Sequence, residues 1–210
     1  MKKKYISIIC AAVLFTGILA GAMCIYAAGK KMAAHDPLQP EIAQKILRFH
    51  ILANSDSKKD QSIKLKVRDE IGNLMQKKLK DSEGLQDTEA VVLDHMDEIT
   101  ETAERILREN GFSYGASAKL AKVDFPEKTY GEYTFPEGEY EALQVTLGEG
   151  GGHNWWCVLY PNMCFQGSVY EVVEDEADEK LQEVLTPAEY ADVFNSGKIR
   201  IRLKFLEYFR

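Results

Sequence analysis

The sequence predicts an α+β fold: two amphipathic helices packed on a mostly antiparallel sheet, with a short C-terminal helix and a closing strand. Three observations predict it. Helical periodicity fills the stretch from Ser57 to Gly111 in two blocks, short Tyr/Phe/Val/Thr runs follow, and a capped helix and an alternating segment close the chain. Helices grouped before strands point to α+β rather than to a βαβ series.

The first element is an export segment. Lys2, Lys3 and Lys4 precede an uncharged run from Tyr5 to Ala28. A secretory apolar region is about 7–15 residues and a spanning helix about 20, so this run suits either. Ala20-Gly21-Ala22 and Ala27-Ala28-Gly29 offer small-residue cleavage sites. Residues 1–29 are therefore a signal peptide or a signal anchor, and the lysines orient the remainder outward. Cys24 lacks the Leu and the small preceding residue of a lipoprotein site. Residues 30–44, with Pro37 and Pro40, form a tether, and 45–210 a single exported domain.

Within that domain, Lys45 to Ala53 is rich in strand formers, and Asn54-Ser55-Asp56-Ser57 supplies turn and cap residues. Ile63, Val67, Ile71, Leu74 and Met75 make one stripe of a first helix reaching Lys80. Asp81 to Thr88 is a polar turn. Val92, Met96, Ile99, Ala103, Ile106 and Leu107 make the buried face of a second helix, stopped at Asn110-Gly111. Strands are expected at Phe112–Asp124, Thr129–Phe135, Glu139–Leu147 and Trp155–Tyr160. The acidic stretch Glu171 to Glu179 reads as a solvated face. Thr186-Pro187-Ala188-Glu189 is a capping box opening a short helix, and Lys198 to Leu206 alternates apolar and charged residues as a half-buried strand.

Charge and composition exclude several functions. The chain carries −7, and removal of the three leader lysines leaves −10. Nucleic acid and anionic lipid need the opposite sign. The exported part keeps two cysteines, Cys157 and Cys164, which suit a disulfide in an oxidising compartment, with reduced buried thiols as the alternative.

Residues 148–165, G-E-G-G-G-H-N-W-W-C-V-L-Y-P-N-M-C-F, hold both tryptophans and a glycine triplet. His153 beside Cys157 invites a thiol-hydrolase reading, but a cysteine inside an apolar strand is buried and inert. Zinc ligands come in short paired spacings, which six residues between the cysteines do not match. The glycines lack the G-K-[ST] of a phosphate loop, and neither G-x-S-x-G nor H-E-x-x-H occurs. No metal or cofactor is expected. His50 reads first as a structural histidine, and secondly as part of a functional surface with Asn54 and Asp56.

Two segments together carry a family resemblance. Arg48-Phe49-His50-Ile51-Leu52-Ala53-Asn54-Ser55-Asp56-Ser57, continuing to Arg68-Asp69, and Gly148 to Phe165 with its G-H-N-W-W-C run, resemble the stage II sporulation protein R family. The resemblance implies a signalling protein and not an enzyme. Its members are exported from the forespore into the space between forespore and mother-cell membranes. There they activate a membrane-embedded aspartic protease that processes the precursor of a mother-cell sigma factor. No catalytic residue carries over. The expected partner-binding surface comprises His153, Asn154, Trp155 and Trp156, seconded by His50, Asn54 and Asp56, with Gly148, Gly150 and Gly152 shaping the loop. The competing class is an exported cysteine-dependent hydrolase acting on peptide or peptidoglycan. A third is a structural envelope protein.

Overall fold

A central strand that is buried on both faces organises the molecule. In the computed structural model, which describes residues 36–163 and 175–194, β1 (Leu47–Leu52) is buried at five of its six positions. It lies between β5 (Gly138–Leu147), to which it is parallel, and β6 (Asn154–Tyr160), to which it is antiparallel. β2 (Ala116–Phe125) pairs antiparallel with β5, giving the order β2-β5-β1-β6. The sheet is thus mixed and mostly antiparallel, and the fold is α+β as expected.

The longer helices cover one face. α1 (Gln39–Ala43) precedes the sheet, and α2 (Lys58–Lys78) follows β1. Ser57 caps α2 by accepting from the Asp60 N–H, and Lys77 and Lys78 complement the negative helix end. Ile63, Val67, Ile71 and Met75 turn inward, as the stripe requires. The second amphipathic stretch is broken in two, α3 (Leu85–Asp94) and α4 (Met96–Glu109). At the break His95 takes φ −106° and ψ 16°, and its Nδ1 bonds the Val91 carbonyl at 2.8 Å beside the backbone bond that the His95 N–H makes to the same oxygen at 3.2 Å. The apolar period runs through His95 unbroken, so periodicity alone does not show the kink. Ile99, Ala103, Ile106 and Leu107 of α4 pack with α2 against Phe49, Ile51, Leu143 and Val145.

The other face holds a second core. Residues Thr129–Phe135, expected as one strand, form a hairpin of β3 (Lys128–Tyr130) and β4 (Tyr133–Phe135), because Gly131 turns the chain at φ 57°. Phe125, Phe135, Tyr140 and Val158 pack there with Ile42, from the segment read as tether. α5 (Asp175–Val184) emerges from the acidic stretch and adds Leu181. α6 (Pro187–Val193) begins at the expected capping box, and the buried Glu189 also pairs with Lys45 at 2.5 Å. The 1–29 segment, Cys164 and the Lys198–Leu206 strand lie outside the described residues.

Arg48 is enclosed in this second core at 0% exposure. Its guanidinium lies 4.4 Å from the Phe125 ring centroid, 5.0 Å from Tyr140 and 5.3 Å from Phe135. Nε donates to the Cys157 carbonyl at 3.1 Å and Nη2 to the Tyr130 hydroxyl at 3.2 Å, while Nη1 has no hydrogen-bond partner among the described residues. Ring faces stand in for a carboxylate here. Burial lowers the Arg48 pKa from its ordinary value. Among the described residues no helix is long and apolar enough to cross a membrane.

Candidate functional site

The glycine loop between β5 and β6 closes onto the turn between β1 and α2, so the two sequence signatures meet. The Gly151 N–H donates to the Asn54 carbonyl at 3.1 Å and the Gly152 N–H to the Ala53 carbonyl at 2.9 Å. Asn54 Oδ1 accepts from the Glu149 N–H at 3.0 Å. Contact this close needs residues without side chains. A Cβ at Gly148, where φ is +56°, would lie 2.1 Å from Asn54 Oδ1. One at Gly152 would lie 2.3 Å from the Ser55 carbonyl oxygen. The Gly150 N–H closes the turn on the Leu147 carbonyl at 3.1 Å.

A hydrogen-bonded cluster holds the junction. The Asp56 carboxylate accepts from the His153 backbone N–H at 2.6 Å and from His153 Nδ1, which therefore carries its proton. These two bonds hold the Asp56 carboxyl below its ordinary pKa. Lys64 Nζ donates to the His153 carbonyl at 2.8 Å and to Gln61 Oε1 at 2.6 Å, and its burial lowers its pKa. One turn deeper, the Asp60 carboxylate accepts from Ser55 at 2.5 Å, Tyr114 at 2.7 Å and Asn54 at 3.1 Å. The Ser55 and Tyr114 bonds hold Asp60 low, while burial and then the bond to Asp60 push Tyr114 up. Asp60 sits in the first turn of α2, where the helix dipole also favours its charge.

The expected surface residues divide by exposure. The His153 side chain is 81% exposed and that of Asp56 54%, so this pair faces solvent. Asn54, Asn154 and Trp156 are half-buried. Trp155 and His50 are core residues, at 8% and 1% exposure. Adjacent residues on a strand face opposite sides, which separates the two tryptophans. Trp155 meets Phe49 edge-on at 5.4 Å, with the Arg68 guanidinium 5.5 Å from its ring. Trp156 lies on the other face, stacked on His50 at 5.0 Å and 4.6 Å from Phe125. Both His50 nitrogens and Asn154 Oδ1 are buried with no hydrogen-bond partner among the described residues. Burial first, then Arg48 and Lys119, lower the His50 pKa to about 4.

Sequence reasoning missed Asp60, Lys64 and Tyr114. The signal for Asp60 was present, since Ser57-x-x-Asp60 is an N-terminal capping pattern. Cys157 is 3% exposed in the middle of β6. Among the described residues no three His, Cys, Asp or Glu side chains converge as a metal site.

Comparison with known proteins bears on the same two segments. The family model for stage II sporulation protein R matches residues 43–170, which include both sides of the junction. The chain is 35% identical over 195 residues to the stage II sporulation protein R of Bacillus subtilis (strain 168), covering 92% of this chain and 85% of that protein. No solved structure matches. A match over more than half the chain, with a curated relative aligned along nearly its whole length, fixes the kinship: this chain belongs to the stage II sporulation protein R family.

Proposed function

We propose that this chain is an intercellular signal of endospore formation, exported from the forespore to activate the membrane-embedded aspartic protease that processes a mother-cell sigma-factor precursor. Family membership supports the sporulation role. The observation that carries the reading is the junction itself. Two segments 97 residues apart in sequence, counted from Asp56 to His153, are locked by backbone hydrogen bonds and present His153 and Asp56 to solvent. A preorganised polar surface binds with little ordering cost. Its binding must favour the active form of the protease, because equal affinity for both forms shifts nothing.

A Cys157–Cys164 bridge forms part of this reading. The disulfide bonding of Cys157 supports it. The bridge would fix the end of β6 and remove the only cysteine nucleophile that the hydrolase reading could place in that strand. The exported domain is thus read as a binding protein whose catalysis belongs to its receiver.

The test is co-expression of the full chain with the protease and its precursor substrate, scoring cleavage. His153→Ala and Asp56→Asn are expected to fold normally and to reduce cleavage roughly tenfold, the size of a lost hot-spot contact of about 1.4 kcal/mol. Trp156→Ala tests the rim of the same surface. Full-rate cleavage by all three variants would remove the junction from the contact surface.

A further inference from the structure

A second surface lies at the opposite end of β5 from the glycine loop. The stretch of β5 from Glu141 to Leu147, about 20 Å, separates the two. There the helix layer stops short and leaves a groove of about 580 Å³ between α1, α3 and the paired ends of β2 and β5. Leu85, Glu89 and Leu93 of α3 line one wall at i, i+4 and i+8 spacing. Pro40 and Ala43 of α1 and Leu120 of β2 add apolar surface. Leu93 is 59% exposed, the most exposed large hydrophobic residue among those described.

The groove is net acidic, with Glu89, Glu139 and Glu141 set against Lys122. Glu89 and Glu141 both line it, and neither has a cationic partner among the described residues. Lys122 lines it too, bridged to Glu139 at 3.7 Å with both side chains mostly in solvent. Partial burial and then the neighbouring Glu141 hold the Glu89 carboxyl above its ordinary pKa. Two neighbouring carboxylates beside an exposed leucine suit a cation carried on an apolar stem.

We propose that this groove docks a lysine- or arginine-bearing amphipathic segment of another protein, its apolar side chains against Leu85 and Leu93 and its cation between Glu89 and Glu141. The chemistry is that of a helix laid in a groove, with an acidic rim choosing the sign of the partner. The assignment goes beyond the proposed function and holds whether or not the glycine loop contacts the protease.

The test uses the full chain and a short fluorescent helix-forming peptide of Leu and Lys, followed by anisotropy. Its counterpart has Glu in place of every Lys. The Leu/Lys peptide is expected to bind and to protect α3 amides from hydrogen exchange, and the Leu/Glu peptide to leave anisotropy unchanged. Glu89→Gln with Glu141→Gln should weaken binding about fivefold, and rising salt should do the same. Leu93→Ser, at an exposed site with an unchanged thermal midpoint, should weaken it by a similar factor. Equal binding by all variants overturns the proposal. So does tighter binding by a Lys30→Glu, Lys31→Glu chain, which would make this chain's own segment the occupant.

Discussion

His50 is the residue whose environment most constrains its chemistry. Its ring is stacked on Trp156, crowded by Phe125 and without a hydrogen-bond partner at either nitrogen among the described residues. Protonation would place a charge beside Arg48 in a buried core, and the ring therefore stays neutral down to about pH 4. The unfolded ring takes up its proton near 6.5. Stability from this residue is thus complete above pH 6.5 and is lost as pH falls toward 4, by about 3 kcal/mol at the limit. His50→Phe keeps the stacking and removes the proton site. Urea unfolding at pH 7 and pH 4.5 should show a smaller pH loss for the variant than for the natural chain, and equal losses would refute the assignment. Asp60 acts in the same direction through different physics. Its carboxylate is held low by Ser55 and Tyr114, so its contribution is present at neutral pH and lost in acid as it protonates. Asp60→Asn should lower stability at pH 7 by about 1–3 kcal/mol, measured by the same unfolding curves.

At the scale of elements, the loop and the turn that meet at the junction make opposite demands on sequence. The β1–α2 turn needs polar caps, and Ser57 and Asp60 supply them. The β5–β6 loop needs missing side chains. Gly152→Ala should cost about 1–3 kcal/mol, because the obstruction is the Ser55 backbone and not a movable side chain. Gly84→Ala, with nothing within 4 Å, should change stability by under about 1 kcal/mol in the same denaturation assay. Most elements were legible because their signals are local: the α2 stripe, the Thr186 box and the apolar run of β1. The break at His95 was not, since the apolar period runs through it intact. Nor was the hairpin at Gly131, where one glycine divides a run of uniform strand formers. The site was legible as two segments but not as one place. Nothing local in Asn54 or Gly148 announces that they are in contact. Which tryptophan packs against which core was equally hidden, because alternation separates the rings without saying which face the helices cover.

At the scale of the molecule, two cores share one sheet. Phe49, Ile51 and Trp155 belong to the helix side, and Val158 and Tyr140 to the hairpin side, with Arg48 buried there too. Neither core can dissolve without exposing one face of β1. The two tryptophans report on them separately, Trp155 on one face and Trp156 on the other. Trp156→Phe and Trp155→Phe therefore give two single-reporter chains. Their fluorescence transitions in urea should each coincide with the circular-dichroism transition of the same chain. Separated midpoints would mean that the two faces unfold independently.

The pairing order of β1 has a further consequence, for the time before the fold exists. β1 ends at Leu52, and its parallel neighbour β5 begins only at Gly138. During synthesis at about 5–20 residues per second, the central strand of the sheet waits roughly 4–17 s for its first sheet partner. A bare strand of that kind is a template for pairing with other chains. Arg48 and His50 interrupt it at alternate positions. The same two residues that leave orphaned nitrogens in the finished core carry polarity into the nascent strand when it is most exposed, in the manner of gatekeepers. A cost borne in the native state is then protection for the newborn one.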